Sequence, residues 1–198
     1  MEQSHYFIAD ETLEDHEETF FYYFDSHKIE LTSNSGMFAP GHVDAATDLL
    51  LHTLPNFSKI QSLLDLGCGY GVIGITLKKA YSNLEVTMSD VNARALRYAQ
   101  KNAQANAVKI KNICTDGFQN NLDTYDAITL NPPIHAGKET IFQLYEDSFS
   151  HLNANGSLYI VIQKKHGAES TIQKLQTLFP TVETLYKKKG YYILKATK

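Results

Sequence analysis

One run of nine residues, Leu63-Leu64-Asp65-Leu66-Gly67-Cys68-Gly69-Tyr70-Gly71, constrains the fold of this chain more than any other feature. Its apolar part predicts a buried strand over Ser62–Leu66, and Val72–Ala80 beyond it predicts a helix. The glycines between them permit positive φ angles and a close approach of a ligand to the backbone. Because the helix that follows directs its free N–H groups at the turn, this arrangement predicts a site for an adenosine-containing cofactor.

The order of segments after about residue 60 predicts an α/β fold. Apolar strands alternate with helical segments, and helices between strands imply a parallel sheet. A hairpin around Lys189-Gly190 adds one antiparallel strand at the edge. The predicted class is a doubly wound, Rossmann-like, seven-stranded and mostly parallel sheet. Further strands are predicted at Leu84–Ser89, Val108–Cys114, Tyr125–Leu130, Gly156–Gln163, Val182–Tyr186 and Tyr191–Lys195, and further helices after Asn92 and at Lys138–Leu152 and Glu169–Phe179.

The first 41 residues have a different pattern, and we expect them to form an extension that packs on a domain of residues 42–198. The aromatic run Phe20–Phe24 favours a strand with one face in the core over a surface that stacks unpaired bases. The predicted elements here are a hairpin of Thr19–Phe24 and Lys28–Thr32, a loop at Ser33–Gly41, and a helix at His42–Leu54 that leads into the domain.

The composition limits the classes of function. The chain has 198 residues and a formal net charge of −4, so any nucleic-acid site is expected to be a local patch. Two cysteines give no disulfide framework, and no apolar run reaches the length of a membrane span. The polar start Met1–His5 is not a signal peptide. We therefore expect a cytoplasmic protein with no membrane partner and, since its eight histidines lack ligand spacing, no metal.

Side chains after the second and third predicted strands complete the cofactor site. Asp90 ends the second strand, 23 residues after Gly67, where a carboxylate suits the two ribose hydroxyls. Asp116 follows the third strand and is expected to accept from the adenine amino group, with Val91 or Phe118 against the ring. The residues predicted to contact the cofactor from this pattern are Asp65, Gly67, Cys68, Gly69, Gly71, Asp90, Val91, Asp116, Gly117, Phe118 and Asn131.

The glycine turn alone leaves two other interpretations open. Gly69-Tyr70-Gly71-Val72-Ile73-Gly74 also fits the G-x-G-x-x-G pattern of dinucleotide-binding folds, with Asp90 as the ribose acid. The carboxylate of Asp65 disfavours a diphosphate, because both groups are negatively charged. It suits the positively charged methionyl end of S-adenosylmethionine, which Asp65 would contact through water or through the backbone. No second domain is evident for an oxidoreductase substrate. The other interpretation is a turn that merely packs a helix on a strand, in which Cys68 is a small buried side chain.

The segment Asn131-Pro132-Pro133-Ile134 at the end of the fourth strand predicts chemistry on a planar nitrogen. Such a nitrogen is a poor nucleophile because its lone pair is delocalised. Hydrogen bonds from its N–H groups to the Asn131 side-chain oxygen and the Pro132 carbonyl would turn the lone pair toward a sulfonium methyl group, while the prolines fix the backbone. No strong base is needed, since the proton becomes acidic once the methyl group has arrived. The alternative is a Pro-Pro strand end without chemistry.

Together these motifs resemble the class I S-adenosylmethionine-dependent methyltransferases, and most closely the guanine-N2 methyltransferases of small-subunit ribosomal RNA. The resemblance extends from about Thr32 to the C-terminus. It implies transfer of a methyl group from S-adenosylmethionine to guanine N2 in ribosomal RNA, which leaves S-adenosylhomocysteine. The segments that carry it are Ser35-Gly36-Met37-Phe38, Val43-Asp44, Ala46–Leu54, Asp65-x-Gly67-x-Gly69-x-Gly71, Asp90 and Asn131-Pro132-Pro133-Ile134-His135-Ala136-Gly137-Lys138.

The resemblance also implies roles for individual residues. Many relatives have Phe or Tyr after the two prolines, where it stacks on the target ring, and this chain has Ile134. Phe38 or His135 would then stack on that ring, or an apolar contact would replace stacking. The catalytic residues are thus expected to be Asn131, Pro132, Pro133 and Ile134. Gly67, Gly69, Asp90 and Asp116 would hold the cofactor, with Phe38 closing the site over it.

The identity of the acceptor leaves three hypotheses. His135, Lys138 and Lys164 are the candidates for contact with RNA, and Lys164 lies at the same sheet edge as the predicted active site. His135 is equally well explained as an exposed loop residue. Larger family members carry a second, cofactor-free domain that this sequence lacks. The first hypothesis is that the partner is ribosomal RNA or a ribosomal subunit. The second is that the acceptor is a protein glutamine or a small-molecule nitrogen. The third is that the chain is a non-catalytic RNA-binding module.

Overall fold

A computed structural model describes residues 16–119 and 121–198 of the chain. The predictions about Met1–His5 and the first part of the extension lie outside these residues. In chain order the elements are β1 (Glu17–Phe24), β2 (His27–Asn34), α1 (Ala45–Thr53), β3 (Ser62–Leu66), α2 (Val72–Ala80), β4 (Glu85–Asp90), α3 (Ala93–Ala105), β5 (Lys111–Cys114), β6 (Tyr125–Leu130), α4 (Lys138–Ser150), β7 (Leu152–Gln163), α5 (Ala168–Leu178), β8 (Thr181–Lys188) and β9 (Tyr191–Thr197).

Seven of the strands form one sheet in the order β5-β4-β3-β6-β7-β9-β8. The strands β3 to β7 run parallel, and β9 is antiparallel to both of its neighbours. Apolar side chains of α1, α2 and α3 pack in one cluster and those of α4 and α5 in another. The predicted seven-stranded, doubly wound sheet with one antiparallel strand is confirmed.

The sequence predicted that the antiparallel strand lies at the edge of the sheet. In the structure this strand, β9, lies one place in from the edge, between β7 and β8. Ile193 and Leu194 of β9 are fully buried, whereas most residues of β8 are exposed. The apolar strand of the hairpin therefore pairs on both sides, and the polar strand, with Lys187 and Lys188, forms the edge. Charged edge strands of this kind disfavour pairing with another chain.

Element boundaries differ from the predicted ones for local reasons. α1 begins at Ala45, because the carboxylate of Asp44 caps its first turn. β5 begins at Lys111, because the N–H of Val108 still donates a hydrogen bond to the last turn of α3. β7 begins at Leu152, directly after α4. The predicted order of elements is unaffected.

The sheet brings the predicted site residues to one edge. β3 pairs with β4 on one side and with β6 on the other, so the strand order reverses at β3. In doubly wound folds a crevice for ligands forms at the carboxyl ends of the strands where this reversal occurs. Gly67 follows β3, Asp90 ends β4, Asn131 follows β6 and Lys164 follows β7. All four therefore lie along the same edge.

The hairpin β1–β2 packs on the domain with alternate residues of β1. Phe20, Tyr22 and Phe24 face inward, and the aromatic ring of Phe20 packs edge-on against that of Tyr70 in the glycine turn. The hydroxyl of Tyr22 donates a hydrogen bond to a carboxylate oxygen of Asp48 on α1 (2.8 Å). The prediction of a strand with one face in the core is confirmed.

Asn102 on α3 joins the hairpin to the glycine turn. Its side-chain oxygen accepts a hydrogen bond from the backbone N–H of Thr32 (2.8 Å), and its amide nitrogen donates to the carbonyl oxygens of Thr32 (3.0 Å) and Tyr70 (2.9 Å). The residue is 1% exposed. Because a buried polar group is costly when it lacks a partner, these three bonds fix the hairpin, the turn and the helix relative to one another.

We expect Asn102→Ala to lower the free energy of unfolding by roughly 2–3 kcal/mol, because it leaves buried groups of Thr32 and Tyr70 without partners. Gln104→Ala is the matched control, since Gln104 is an exposed carboxamide on the same helix. Urea unfolding followed by circular dichroism measures both. Equal stability of the two variants would contradict the role given to Asn102.

Candidate active site

The glycine turn between β3 and α2 has an open side and a packed side. Gly67, Gly69 and Gly71 all have positive φ angles of 69°, 56° and 93°. A Cβ atom built on Gly67 or Gly69 meets nothing within 4 Å, whereas on Gly71 it would lie 2.8 Å from Cδ1 of Ile75. Gly67 and Gly69 thus leave room for a ligand close to the backbone. Gly71, also predicted to contact the cofactor, instead allows α2 to pack against the sheet.

Asp65 lies beneath the turn, with its side chain 1% exposed. Its Oδ2 accepts a hydrogen bond from the N–H of Gly74 in the first turn of α2 (2.9 Å), and its Oδ1 accepts one from the hydroxyl of Thr129 (3.2 Å). Burial raises the pKa of this carboxyl to about 7. Of the two routes expected for Asp65 to act on a cofactor, water or backbone, the geometry favours the backbone of α2.

Asp90 lies beside the turn at the end of β4. Its Oδ2 accepts a hydrogen bond from the N–H of Gly69 (2.8 Å), and its Oδ1 accepts one from the N–H of Asn92 (2.9 Å). Burial raises the pKa of the carboxyl above its ordinary value, and these hydrogen bonds oppose the shift. Each oxygen retains a second lone pair, so the carboxylate is able to accept from two ribose hydroxyls.

The residues predicted to surround an adenine ring divide into exposed and buried ones. Asp116 and Val91 are exposed, and the side chain of Val91 is 41% accessible. Gly117 has a positive φ of 56°. Phe118 is buried, and its ring stacks on that of His151 with centroids 4.3 Å apart. The ring of Phe118 is thus used in core packing, and Val91 is the better placed of the two predicted apolar contacts.

Two other side chains of the turn point into the protein. Cys68 is buried, and burial raises the pKa of its thiol well above the ordinary value, in agreement with a packing role. Tyr70 is also buried, and its hydroxyl is within hydrogen-bond distance of the carbonyl oxygens of Ala39 (3.2 Å) and His42 (2.8 Å). No pattern in the sequence had pointed to Tyr70. Its hydroxyl ties the turn to the loop that bears Phe38.

The loop after β2 presents Phe38 at the surface. The N–H of Met37 donates to the carbonyl of Asn34 (2.9 Å), and the N–H of Gly41 donates to the hydroxyl of Ser33 (2.7 Å), so both ends of the loop are held by β2. The side chain of Phe38 is 62% exposed. Its contact with a cofactor or a target ring stays a prediction.

Asn131 is held in one orientation by α1. Its Nδ2 donates to the hydroxyl of Thr47 (3.2 Å) and lies 3.4 Å from Oδ2 of Asp44, the residue that caps α1. Both acceptors engage the nitrogen, so the side-chain oxygen is the end left for a ligand. Within residues 16–119 and 121–198, no group donates a hydrogen bond to this oxygen. The sequence pattern pointed to Asn131 but to neither Thr47 nor the contact with Asp44.

The two prolines after Asn131 build a rigid corner. The carbonyl of Pro133 accepts a hydrogen bond from the N–H of Ala136 (2.9 Å) and closes a single turn of 3₁₀ helix at Ile134–Ala136. No donor among the described residues reaches the carbonyl of Pro132, so Asn131 and Pro132, which are adjacent in sequence, each keep an oxygen that is able to accept a hydrogen bond from a ligand. The side chain of Ile134 is exposed and offers apolar surface beside them.

The predicted substrate contacts lie at the ends of β6 and β7. His135 and Lys138 are exposed after β6, and Lys164 follows β7, where its N–H donates to the carbonyl of Gly190 (2.7 Å). Partial burial lowers the pKa of His166, and the charges of Lys165 and His135 lower it further. Contact of His135, Lys138 and Lys164 with a substrate stays a prediction.

Neither a metal site nor a membrane span is found in the part of the chain that the structure describes. No three His, Cys, Asp or Glu side chains among these residues are grouped as ligands of a metal would be. None of the described helices has the length and apolar character needed to cross a bilayer.

The family model described as methyltransferase small domain matches residues 28–195. The chain belongs to this family. It is also 38% identical over 197 residues to the protein YbxB of Bacillus subtilis (strain 168), named as an uncharacterized protein, and covers 98% of each sequence. Ribosomal RNA small subunit methyltransferase C of Hahella chejuensis is 37% identical over 140 residues, which are 69% of this chain and 41% of that protein.

Two solved structures share the fold. The 16S rRNA N2 G1207 methyltransferase (RsmC) of T. thermophilus, in complex with AdoMet and guanosine, superimposes with a TM-score of 0.81 at 24% identity, over 92% of this chain and 50% of that one. A ribosomal protein L11 methylase of Lactobacillus delbrueckii superimposes with a TM-score of 0.66 at 18% identity, over 80% of this chain and 79% of that one.

These likenesses confirm the predicted family and fold: the chain belongs to the methyltransferase small domain family and shares its fold with the RsmC structure, whose bound methyl donor is S-adenosylmethionine (AdoMet). The open glycine turn of this chain fits that donor, because Gly67 and Gly69 leave space beside the N-terminus of α2 and Asp90 lies next to them. The chain spans about two fifths of the length of the ribosomal RNA methyltransferases that it matches in sequence.

We expect alanine to have different effects at Gly69, on the open side of the turn, and at Gly71, on its packed side. Gly69→Ala should cost about 1 kcal/mol of stability from its positive φ and should weaken S-adenosylmethionine binding, since the new Cβ enters the open space. Gly71→Ala should cost roughly 2–3 kcal/mol, because its Cβ also collides with Ile75 and Met88. Urea unfolding and calorimetric titration measure the two effects. Equal losses of stability would contradict this division.

We expect Asp90→Ala to weaken S-adenosylmethionine binding at least tenfold, since a carboxylate that accepts from ribose hydroxyls contributes on the order of 1.5–3 kcal/mol per hydrogen bond. The matched control is Asp123→Ala, which removes an exposed carboxylate paired with Lys111. Isothermal titration calorimetry of both variants tests the assignment. An unchanged affinity of Asp90→Ala would show that the ribose is held elsewhere.

Proposed function

We propose that this chain transfers a methyl group from S-adenosylmethionine to the exocyclic N2 of guanine in small-subunit ribosomal RNA. The observation that carries the proposal is the orientation of the Asn131 carboxamide. Thr47 and Asp44 hold its nitrogen, so its oxygen is left as an acceptor, and the carbonyl of the next residue, Pro132, has no donor among the described residues. Two acceptors on adjacent residues match in number the two N–H groups of an exocyclic amine.

The proposed reaction requires that the guanine amine be oriented toward the methyl group, and it does not require a strong base. S-adenosylmethionine supplies an electrophilic methyl group on a sulfonium. The lone pair of the guanine amine is conjugated with the ring, and hydrogen bonds to Oδ1 of Asn131 and the carbonyl of Pro132 turn it toward the methyl carbon. The new bond joins nitrogen and carbon, the carbon–sulfur bond breaks, and S-adenosylhomocysteine leaves. The amine, now cationic, releases one of its protons to solvent.

The remaining residues of the site would bind the methyl donor, the target base and the phosphates of the RNA. Gly67 and Gly69 would let the donor lie against the turn, Asp90 would accept from its ribose hydroxyls, and Val91 would contact the adenine. The exposed side chain of Ile134 would supply apolar contact to the target base in place of an aromatic ring. Lys138 at the start of α4 and Lys164 directly after β7 would approach phosphates of the RNA.

A protein nitrogen is the second candidate acceptor. The ribosomal protein L11 methylase has the same fold, and this chain covers most of its length. An amide nitrogen has the same delocalised lone pair as an exocyclic amine, so the acceptor pair of Asn131 and Pro132 suits it too. The higher sequence identity to ribosomal RNA methyltransferases favours RNA.

The acceptor is tested with the purified chain, radiolabelled S-adenosylmethionine, and small ribosomal subunits or their RNA from cells that lack the gene for this chain. We expect label in the RNA, released by nuclease digestion as N2-methylguanosine. Label in the protein fraction would support the second candidate and overturn the proposal. Label in another nucleoside would overturn the assignment to guanine N2.

Asn131→Ala should lower turnover roughly a hundredfold while leaving the affinity for S-adenosylmethionine within about twofold, because it removes an orienting contact to the target only. Thr47→Val should give a smaller loss, since it releases one of the two contacts that hold Asn131. Gln176→Ala, an exposed carboxamide on α5, is the control. Equal losses of turnover and donor affinity in Asn131→Ala would contradict this separation of roles.

A further inference from the structure

Helix α3 carries cations that the proposed reaction does not use. Its sequence, ARALRYAQKNAQA, contains Arg94, Arg97 and Lys101 and no carboxylate. These three residues line one cleft of about 250 Å³ together with Glu17 and Tyr98. Lys101 is paired with Glu17 at 2.6 Å, and Arg97 is exposed. Among the described residues, the lining of the cleft thus includes three cations and one carboxylate, although the chain as a whole is acidic.

A large share of the acidity of the chain lies in its first 18 residues, the last two of which, Glu17 and Glu18, begin β1. Residues 1–18 contain seven of the 22 acidic residues and none of the 18 basic ones. Residues 19–198 therefore hold 18 basic and 15 acidic side chains, a formal charge of +3. The net charge of −4 is consequently no argument against a nucleic-acid surface on the domain.

Strand β1 continues the same surface with aromatic side chains. Alternate residues of a strand share a face, so Phe21 and Tyr23 lie on the same face of β1 as Glu17 of the cleft. Their side chains are 49% and 64% exposed. The ammonium of Lys28, on the neighbouring strand, lies 3.6 Å from the centre of the Phe21 ring. Two exposed aromatic rings about 7 Å apart along a strand, next to a cation, form a stacking surface.

The cleft also approaches the active site. Arg94 comes four residues after Asp90, and its guanidinium donates to Oδ1 of Asn34 (2.9 Å). The carbonyl of the same Asn34 accepts from Met37, at the start of the loop that presents Phe38. The surface therefore runs from the loop at the active site, along α3, to the tip of the hairpin, a length of about 25 Å along the eight residues of β1.

We infer that this surface, which we call the α3–β1 face and define by Arg94, Arg97, Lys101, Phe21, Tyr23 and Lys28, binds a single-stranded segment of the substrate RNA. A basic groove that follows the backbone and aromatic side chains that stack on bases are the two components of single-strand recognition. The carboxylates that β1 and β2 carry on this face, Glu17 and Glu30, are outnumbered by its cations. The inference rests on the proposed function in that the substrate is RNA.

The test is the affinity for a fluorescein-labelled, 12-nucleotide single-stranded RNA of mixed sequence, measured by fluorescence anisotropy over a range of salt. The double variant Phe21→Ala/Tyr23→Ala should bind about fivefold more weakly or worse with an unchanged salt slope, because it loses stacking only. Arg97→Glu should bind more weakly and reduce the slope of log affinity against log salt by about 0.7 or more. Phe21→Tyr/Tyr23→Phe should bind like the unmodified chain.

The controls are Leu122→Ala, an exposed apolar residue elsewhere, and Lys59→Glu, an exposed cation before β3 at the opposite edge of the sheet. Both should bind RNA normally, and all variants should keep the affinity for S-adenosylmethionine. An equal loss with Lys59→Glu, unchanged affinity of the α3–β1 variants, or tighter binding of the same sequence as a duplex would overturn the inference. If the unmodified chain methylates ribosomal RNA while the variants of the α3–β1 face bind the single-stranded RNA normally, the inference fails and the proposed function stands. If it binds no RNA and methylates a protein, the proposed function fails.

Discussion

Asn102 forms three buried hydrogen bonds on which the arrangement of the candidate active site depends. They join β2, through Thr32, to the carbonyl of Tyr70 in the glycine turn. From the other side, the hydroxyl of Tyr70 reaches two carbonyls of the loop after β2. The hairpin is therefore an integral support of the turn rather than an appendage. A turn with three glycines at positive φ has little stiffness of its own, and these buried contacts supply it.

The acceptor side of the site is supported in the same way by α1. Asp44 caps the first turn of α1 with one carboxylate oxygen, and the same oxygen lies near the amide of Asn131. Thr47, one turn along, contacts the same amide. The position of α1 thus sets which end of the carboxamide faces a ligand. Since the loop bearing Phe38 leads directly into α1, the cofactor side and the acceptor side of the site share one support.

The sequence predicted those features that depend on local chemistry. Glycines at positive φ and prolines at a strand end act on their own backbone, so the turn at Gly67 and the corner at Pro132 were recognisable from the residues alone. Asn102 and Tyr70 were not, because their partners lie 70 and about 30 residues away along the chain. The sequence also did not indicate whether Val91 or Phe118 is exposed, since both are apolar. The stacking of Phe118 on His151, which keeps Phe118 in the core, is a contact between residues distant in the chain.

The two faces of β1 explain how one short hairpin could serve both structure and recognition. Phe20 on its inner face packs against Tyr70 of the glycine turn, whereas Phe21 and Tyr23 on its outer face remain accessible. Because the side chains alternate, substitutions on the outer face leave the contacts of the inner face in place. Binding of RNA by the outer face and binding of the methyl donor beside the inner face are therefore separable by mutation, although one strand contributes to both.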